Sequence, residues 1–258
     1  MRSAMLLILA FCCSFARADT QSIQYLHEVS NNAYLFTASL MVYFNPKDRT
    51  PDERSLTAAF GAITVMDIKV NQLGNPPEMR KPVDELNTIF LALEKTKRAE
   101  SAIFPAKIQR VLELNKELQE AIAKSYNAEM TANPSPVGLL NEQSQTIARL
   151  LMDYQLRRYP LEDKTAFALD PAQLPVIDKQ IDENFALLIK KYPANADYLE
   201  PAYKNYRFVR KQLLQSKGRP NGGAEFYITR TVIDLDDLAR FAAEGGDLIQ
   251  QAGIHPDE

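Results

Sequence analysis

Chemistry-bearing side chains are scarce in this chain. Its 258 residues include two cysteines and two histidines. Both cysteines, Cys12 and Cys13, fall within an amino-terminal stretch that reads as a leader: Met1-Arg2-Ser3 is a short basic start, Ala4 to Phe15 is apolar but too short to span a bilayer, and Ala16-Arg17-Ala18 is an A-x-A cleavage site. Phe11 before Cys12 fits a lipoprotein signal poorly. The expectation is an exported, soluble protein beginning near Asp19, periplasmic where an outer membrane exists. Such a chain has no thiol, disulfide or thiolate metal ligand. His27 and His255 lack a second histidine at metal-ligand spacing, which argues against a histidine metal site, and His27 is expected at the surface or boundary of the first helix. No nucleophile elbow, S-x-x-K motif, phosphate loop or dinucleotide fingerprint is present. Catalysis, cofactor binding and metal binding are therefore not expected.

A positive field is also missing. The formal charge is −3, and removing Arg2 and Arg17 with the leader makes the remainder more acidic, so nothing favours nucleic acid. No later apolar run approaches the roughly 20 residues of a membrane helix. Hydrophobic residues make up 46% and charged residues 24%, the balance of a globular chain.

What is present is helical periodicity. Leu26, Val29, Ala33, Phe36, Leu40 and Tyr43 recur at steps of three and four, and Asn45-Pro46 stops the run. Thr50-Pro51-Asp52-Glu53 reads as a capping box opening a second helix lined by Leu56, Phe60, Ile63, Val70 and Leu73, with Gly74 and Pro76-Pro77 ending it. A third stripe is Val83, Leu86, Phe90 and Leu93; a fourth is Val111, Leu114, Leu118 and Ala121. Asn133-Pro134-Ser135-Pro136 then excludes helix.

After this linker the pattern recurs. Leu140, Ser144, Ile147, Leu151 and Tyr154 match Val29 to Tyr43 at one constant offset, and Leu174, Ile177 and Ile181 keep that offset to Ile63, Met66 and Val70. Stripes at Leu199–Val209 and Val232–Ala242 complete the second set, with Gly218–Gly223 as an inserted loop. The sixth helix starts either at the Asp170-Pro171 box or at Pro175. The expected fold class is all-α: about eight amphipathic helices in two tandem antiparallel four-helix modules with separate cores, residues 19–132 and 137–246, joined by 133–136 and followed by a polar tail, 247–258. Duplication of one module would account for the recurrence, although heptad-like stripes slide into register easily.

Glu142-Gln143-Ser144-Gln145-Thr146-Ile147-Ala148-Arg149 is rich in Gln, Ser and Arg. With the tandem architecture, it resembles the helical periplasmic sensor domains of chemoreceptors, of the pilus-chemotaxis, nitrate-sensing and helical bimodular types. That resemblance spans residues 19 to 246 as architecture and implies only the fold. Those domains sit between two membrane helices, which this sequence does not show.

Two polar groupings remain. Asp234, Asp236 and Asp237, like Asp178, Asp182 and Glu183, are expected on solvated helix faces. Tyr203, Tyr206, Arg207, Arg210 and Lys211 combine aromatic and guanidinium groups within two turns, and Arg157 and Arg158 offer a similar mix at the end of the fifth helix. Such groups could hold a small anion or an acidic partner segment; the competing account puts the tyrosines in the core and pairs the arginines with surface acids. The expected role is non-catalytic binding, either as a protein-interaction or accessory factor of the cell envelope or as a small-ligand, anion-sensing module.

Overall fold

The computed structural model describes the backbone of residues 2–48, 50–132, 137–215 and 222–244, and the side chains of 20–48, 50–127, 137–215 and 223–244. These residues form eight α-helices and no strand: α1 Arg2–Tyr43, α2 Glu53–Gln72, α3 Pro77–Lys95, α4 Phe104–Ala132, α5 Gly138–Arg158, α6 Leu174–Lys191, α7 Ala196–Leu213 and α8 Gly222–Ala243. The side chains of the leader cysteines, the linker 133–136, most of the Gly218–Gly223 loop and the tail 247–258 lie outside the described residues, as does the proposed division at the linker. No described helix is long and apolar enough to cross a membrane.

Local signals place the ends. Asp52, not Thr50, caps α2: its carboxylate accepts from the Arg54 amide. Gly74, at φ 83°, and Asn75, at φ 57°, turn the chain out of α2, with the Asn75 amide closing back on Val70. Asp170 caps a short 3-10 turn, Pro171–Gln173, and α6 follows from Leu174 with Pro175 in its first turn, where a missing N–H costs nothing.

Side-chain bonds give the helix directions. Ser30 meets Gln119, and Asn115 meets Thr37, so α4 is antiparallel to α1. Glu28 meets Lys69, and Tyr43 meets Glu53, so α2 is antiparallel to it as well. Ser39–Glu225 and Asn31–Asp236 give the same relation for α8. Asn31–Ser144, Ser30–Gln145 and Phe44–Tyr159 instead run in step, so α1 and α5 are parallel neighbours.

Each half closes as a ring of four helices in chain order, α1 to α4 and α5 to α8, and the rings join through α1, α5 and α8. The expected separate cores are not what forms. Buried side chains from Leu26 to Ala239 make one continuous cluster, because α1 and α5 each bury nearly their whole circumference between the halves. This also corrects the second stripe. Phe60 is 49% exposed, while Ser55, Ala59, Ala62, Ile63, Met66 and Val70 face inward.

Candidate functional site

The basic and aromatic residues singled out from the sequence occupy the α5–α6–α7 corner, where most are held by neighbours. Burial pushes the Tyr206 phenol well up, and its hydroxyl donates to Asp178 Oδ1 at 2.6 Å. Arg210 bridges Asp178 and Asp182, each at 2.6 Å, and Tyr203 donates to Asp182 at 3.0 Å. Asp178 is itself buried, so two of the acids expected on a solvated face of α6, Asp178 and Asp182, are partners in this cluster, while Glu183 is exposed and pairs with Lys179 as expected. Arg157 donates from Nε to buried Asp153 at 2.7 Å, and from its two Nη atoms to the carbonyls of Leu213 and Gln215, closing the carboxy-terminal end of α7. Arg158 lies 3.8 Å from the centre of the Tyr154 ring. Of these residues Tyr203 and Arg207, the guanidinium stacked 5.5 Å over the Tyr203 ring, line the wide concavity of about 960 Å³ along α7. Asp197, Glu200 and Lys204 share that wall, so the mixed charges there give no concentrated positive field.

A second concavity lies where the two rings meet. α2 and α8 both pack extensively on α1 and touch each other at few points. They stand as diagonal corners of a bundle whose fourth corner is open. The trough between them comprises two connected cavities of about 200 and 310 Å³ that share Ala58, Thr229 and Ile233. Glu28, Asn32 and Leu35 of α1 form its floor, at steps of four and three. One wall is Ala58, Gly61, Ala62 and Val65 of α2; the other is α8 from Phe226 to Arg240, about 21 Å at the helical rise. A Cβ atom built at Gly61 would meet nothing within 4 Å. Phe226 and Ile233 are 55% and 44% exposed along the rim. Beyond the rim, Phe226 meets Tyr227 and Tyr227 meets Phe208, itself 71% exposed, with ring centres 5.4 and 4.8 Å apart. An apolar, partly aromatic surface thus runs from α7 across α8 to the trough.

The α8 wall carries carboxyls that the sequence reading placed in solvent. Asp234 pairs with Arg230 and Asp237 with Arg240 at the surface, but Asp236 is buried. Its Oδ1 accepts from Asn31 Nδ2 at 2.7 Å, and burial pushes its carboxyl up to about 8. Glu28 faces it from α1, paired with Arg240 at 2.9 Å and Lys69 at 3.0 Å. Three turns away, Glu225 is also buried and its carboxyl is raised by burial; its two oxygens accept from Ser39 and Ser55. These acids were missed because spacing alone cannot distinguish a face pressed against a second module from one in water. The available signal was the serines and asparagines at 30, 31, 39 and 144, polar groups set in otherwise apolar stripes.

His27, expected near the surface, is buried edge-on to Tyr126 at 4.8 Å, and burial lowers it to about 4. Among the described residues, no three His, Cys, Asp or Glu side chains converge on a metal-sized site. No family model matches this chain, and neither does any curated protein or solved structure.

Proposed function

We propose that this is an exported helical-bundle protein that works by non-catalytic binding, as an interaction or accessory factor of the cell envelope. Its recognition site is the trough between α2 and α8, and its occupant is an amphipathic helix of a partner protein. The observation that carries this reading is the open fourth corner: two parallel helices flank a third, as three members of a bundle do, so the shape that completes them is a helix. The length of about 21 Å accommodates roughly four turns. The small side chains of Ala58, Gly61 and Ala62 allow close approach, and Phe226 and Ile233 supply apolar anchors on the rim. Export rests on the amino-terminal leader pattern and is tested by amino-terminal sequencing of the mature protein, with Asp19 as the expected first residue.

Gly61→Leu tests the site. The Cβ position is open and leucine improves helix propensity, so the variant should fold with its side chain filling the trough. Tagged wild-type protein should recover from the envelope fraction a partner that also binds the purified protein through a helical segment, and Gly61→Leu should lose it. Equal binding by the filled variant, or loss only on Arg207→Glu, would remove the trough from consideration and return recognition to the α7 concavity.

A further inference from the structure

The carboxyls of Asp236 and Glu225 are the polar pins of an otherwise apolar contact between α8 and its neighbours. They sit about three turns apart on α8 and so point the same way. Glu225 reaches α1 through Ser39 and α2 through Ser55; Asp236 reaches α1 through Asn31, and its carboxyl also takes a hydrogen bond from Ser144 of α5. Through these two side chains α8 is tied to both rings.

The charges around Asp236 do not balance if it is ionised. Glu28 comes from α1 and Lys69 from α2, while Arg240 and Asp237 stand beside it on α8; α5 contributes the neutral Ser144. Two cations therefore face two carboxylates before Asp236 is counted, and Arg240 is already shared between Glu28 and Asp237. At the other pin, Glu225 receives hydroxyl donors but, among the described residues, no direct ion pair: exposed Arg54, which pairs with Asp52, acts on it only at a distance. A proton on each buried carboxyl restores neutrality at both pins.

We propose that Asp236 and Glu225 form a proton-operated latch that holds α8 against α1, α2 and α5, and that loss of these protons loosens the α8 wall of the trough. The consequence for partner binding rests on the trough being the recognition site; the latch itself does not.

Burial raises both carboxyls above their unfolded values, Asp236 to about 8. The folded state therefore holds protons that the unfolded state has released; for Asp236 stability falls as pH rises from its unfolded value toward 8, and Glu225 acts in the same direction. His27, held near 4, acts in the opposite sense, but only below its unfolded value of about 6.5, so the window from 6.5 to 8 isolates the latch.

Denaturant unfolding across that window should show the unfolding constant rising by up to about tenfold per pH unit for each proton released. Amide exchange, corrected for intrinsic rate, should lose protection in α8 before α3 and α4. Asp236→Asn with Glu225→Gln should flatten the dependence and leave α8 protected at pH 9. Gly61→Leu should keep the full pH response, so failure of the trough reading and failure of the latch give different results. If the double variant does not fold, the Asp236 carboxyl of the wild type is followed by carbon NMR, with a midpoint near 8 expected. A wild type equally stable from 6.5 to 8, a double variant with unchanged pH dependence, or a carboxyl titrating near 4 would overturn the latch.

Discussion

Arg207 and Arg210 lie one turn apart on α7, yet their surroundings give them different roles. Arg210 is caught between Asp178 and Asp182, and the Tyr206 hydroxyl donates to Asp178. Reversing this arginine to glutamate would gather three carboxylates and leave Asp178, largely buried, with only the Tyr206 hydroxyl, so Arg210→Glu should lower stability by about 1–3 kcal/mol, less than for a fully buried pair because Arg210 is partly exposed. Arg207 is exposed and stacks on Tyr203; Arg207→Glu should change stability by less than about 1 kcal/mol. Urea melts of the two single variants check the contrast, and equal effects would contradict the pairing. Joint reversal of both residues therefore reports on folding before it reports on recognition. His27 supports a second prediction at this scale. Because it is buried and lowered to about 4, it must remain neutral for the fold to hold, so stability is lost as pH falls from 6.5 toward 4. His27→Phe should reduce that acid-side loss by on the order of 2–3 kcal/mol at pH 4, read from chemical denaturation at pH 7 and 4.

Helix α2 is an element whose sequence pattern misleads. Its most conspicuous apolar residues, Phe60 and Ile68, are 49% and 48% exposed, whereas Ala59, Ala62 and Ser55 face the core. The small residues are there because α1 approaches closely, and Phe60 instead leans on Phe90 of α3 with ring centres 5.4 Å apart. Gly61 lies on the open side. Since nothing opposes a side chain there, Gly61→Ala should stabilise α2 by about 0.5–1 kcal/mol through helix propensity alone, measured as a shift in the denaturant midpoint with no change in its slope. A destabilised alanine variant would mean that the glycine serves a close approach absent from this structure. Helix α8 presents the complementary case. Its apolar stripe, Val232, Leu235 and Ala239, is buried as periodicity predicts, but the adjoining face carrying Asp236 and Glu225 is buried too, because a second ring covers it.

For the whole molecule, the decisive fact is the continuous core. Leu40 of α1 and Leu151 of α5 are both fully buried, one in each half, within a single cluster. Truncating either to alanine should cost about 2–5 kcal/mol and shift one cooperative transition, because neither half can lose its inner helix without exposing the other. Circular dichroism and near-ultraviolet signals should move together in both variants. Two separable transitions, each sensitive to only one substitution, would show that the halves fold alone.

The sequence by itself determined the all-helical class, the number of helices and most of their buried stripes. Those depend on local propensity and on a 3.6-residue period that each segment carries within itself: Val29, Leu86, Leu118, Ile147 and Tyr206 are buried as their spacing requires. Asp170 and Gly74 could likewise be read as boundaries, because caps and left-handed turns are local. The tertiary structure alone decided which helices bury two faces, and with that the fate of every polar residue at the junction. The parallel docking of α1 on α5, the burial of Asp236, Glu225 and His27, the capture of Arg157 and Arg210 by nearby acids and carbonyls, and the open corner between α2 and α8 all follow from how two amphipathic rings meet. The energy of that meeting depends on area and charge contributed by segments more than a hundred residues apart, to which no local period is sensitive.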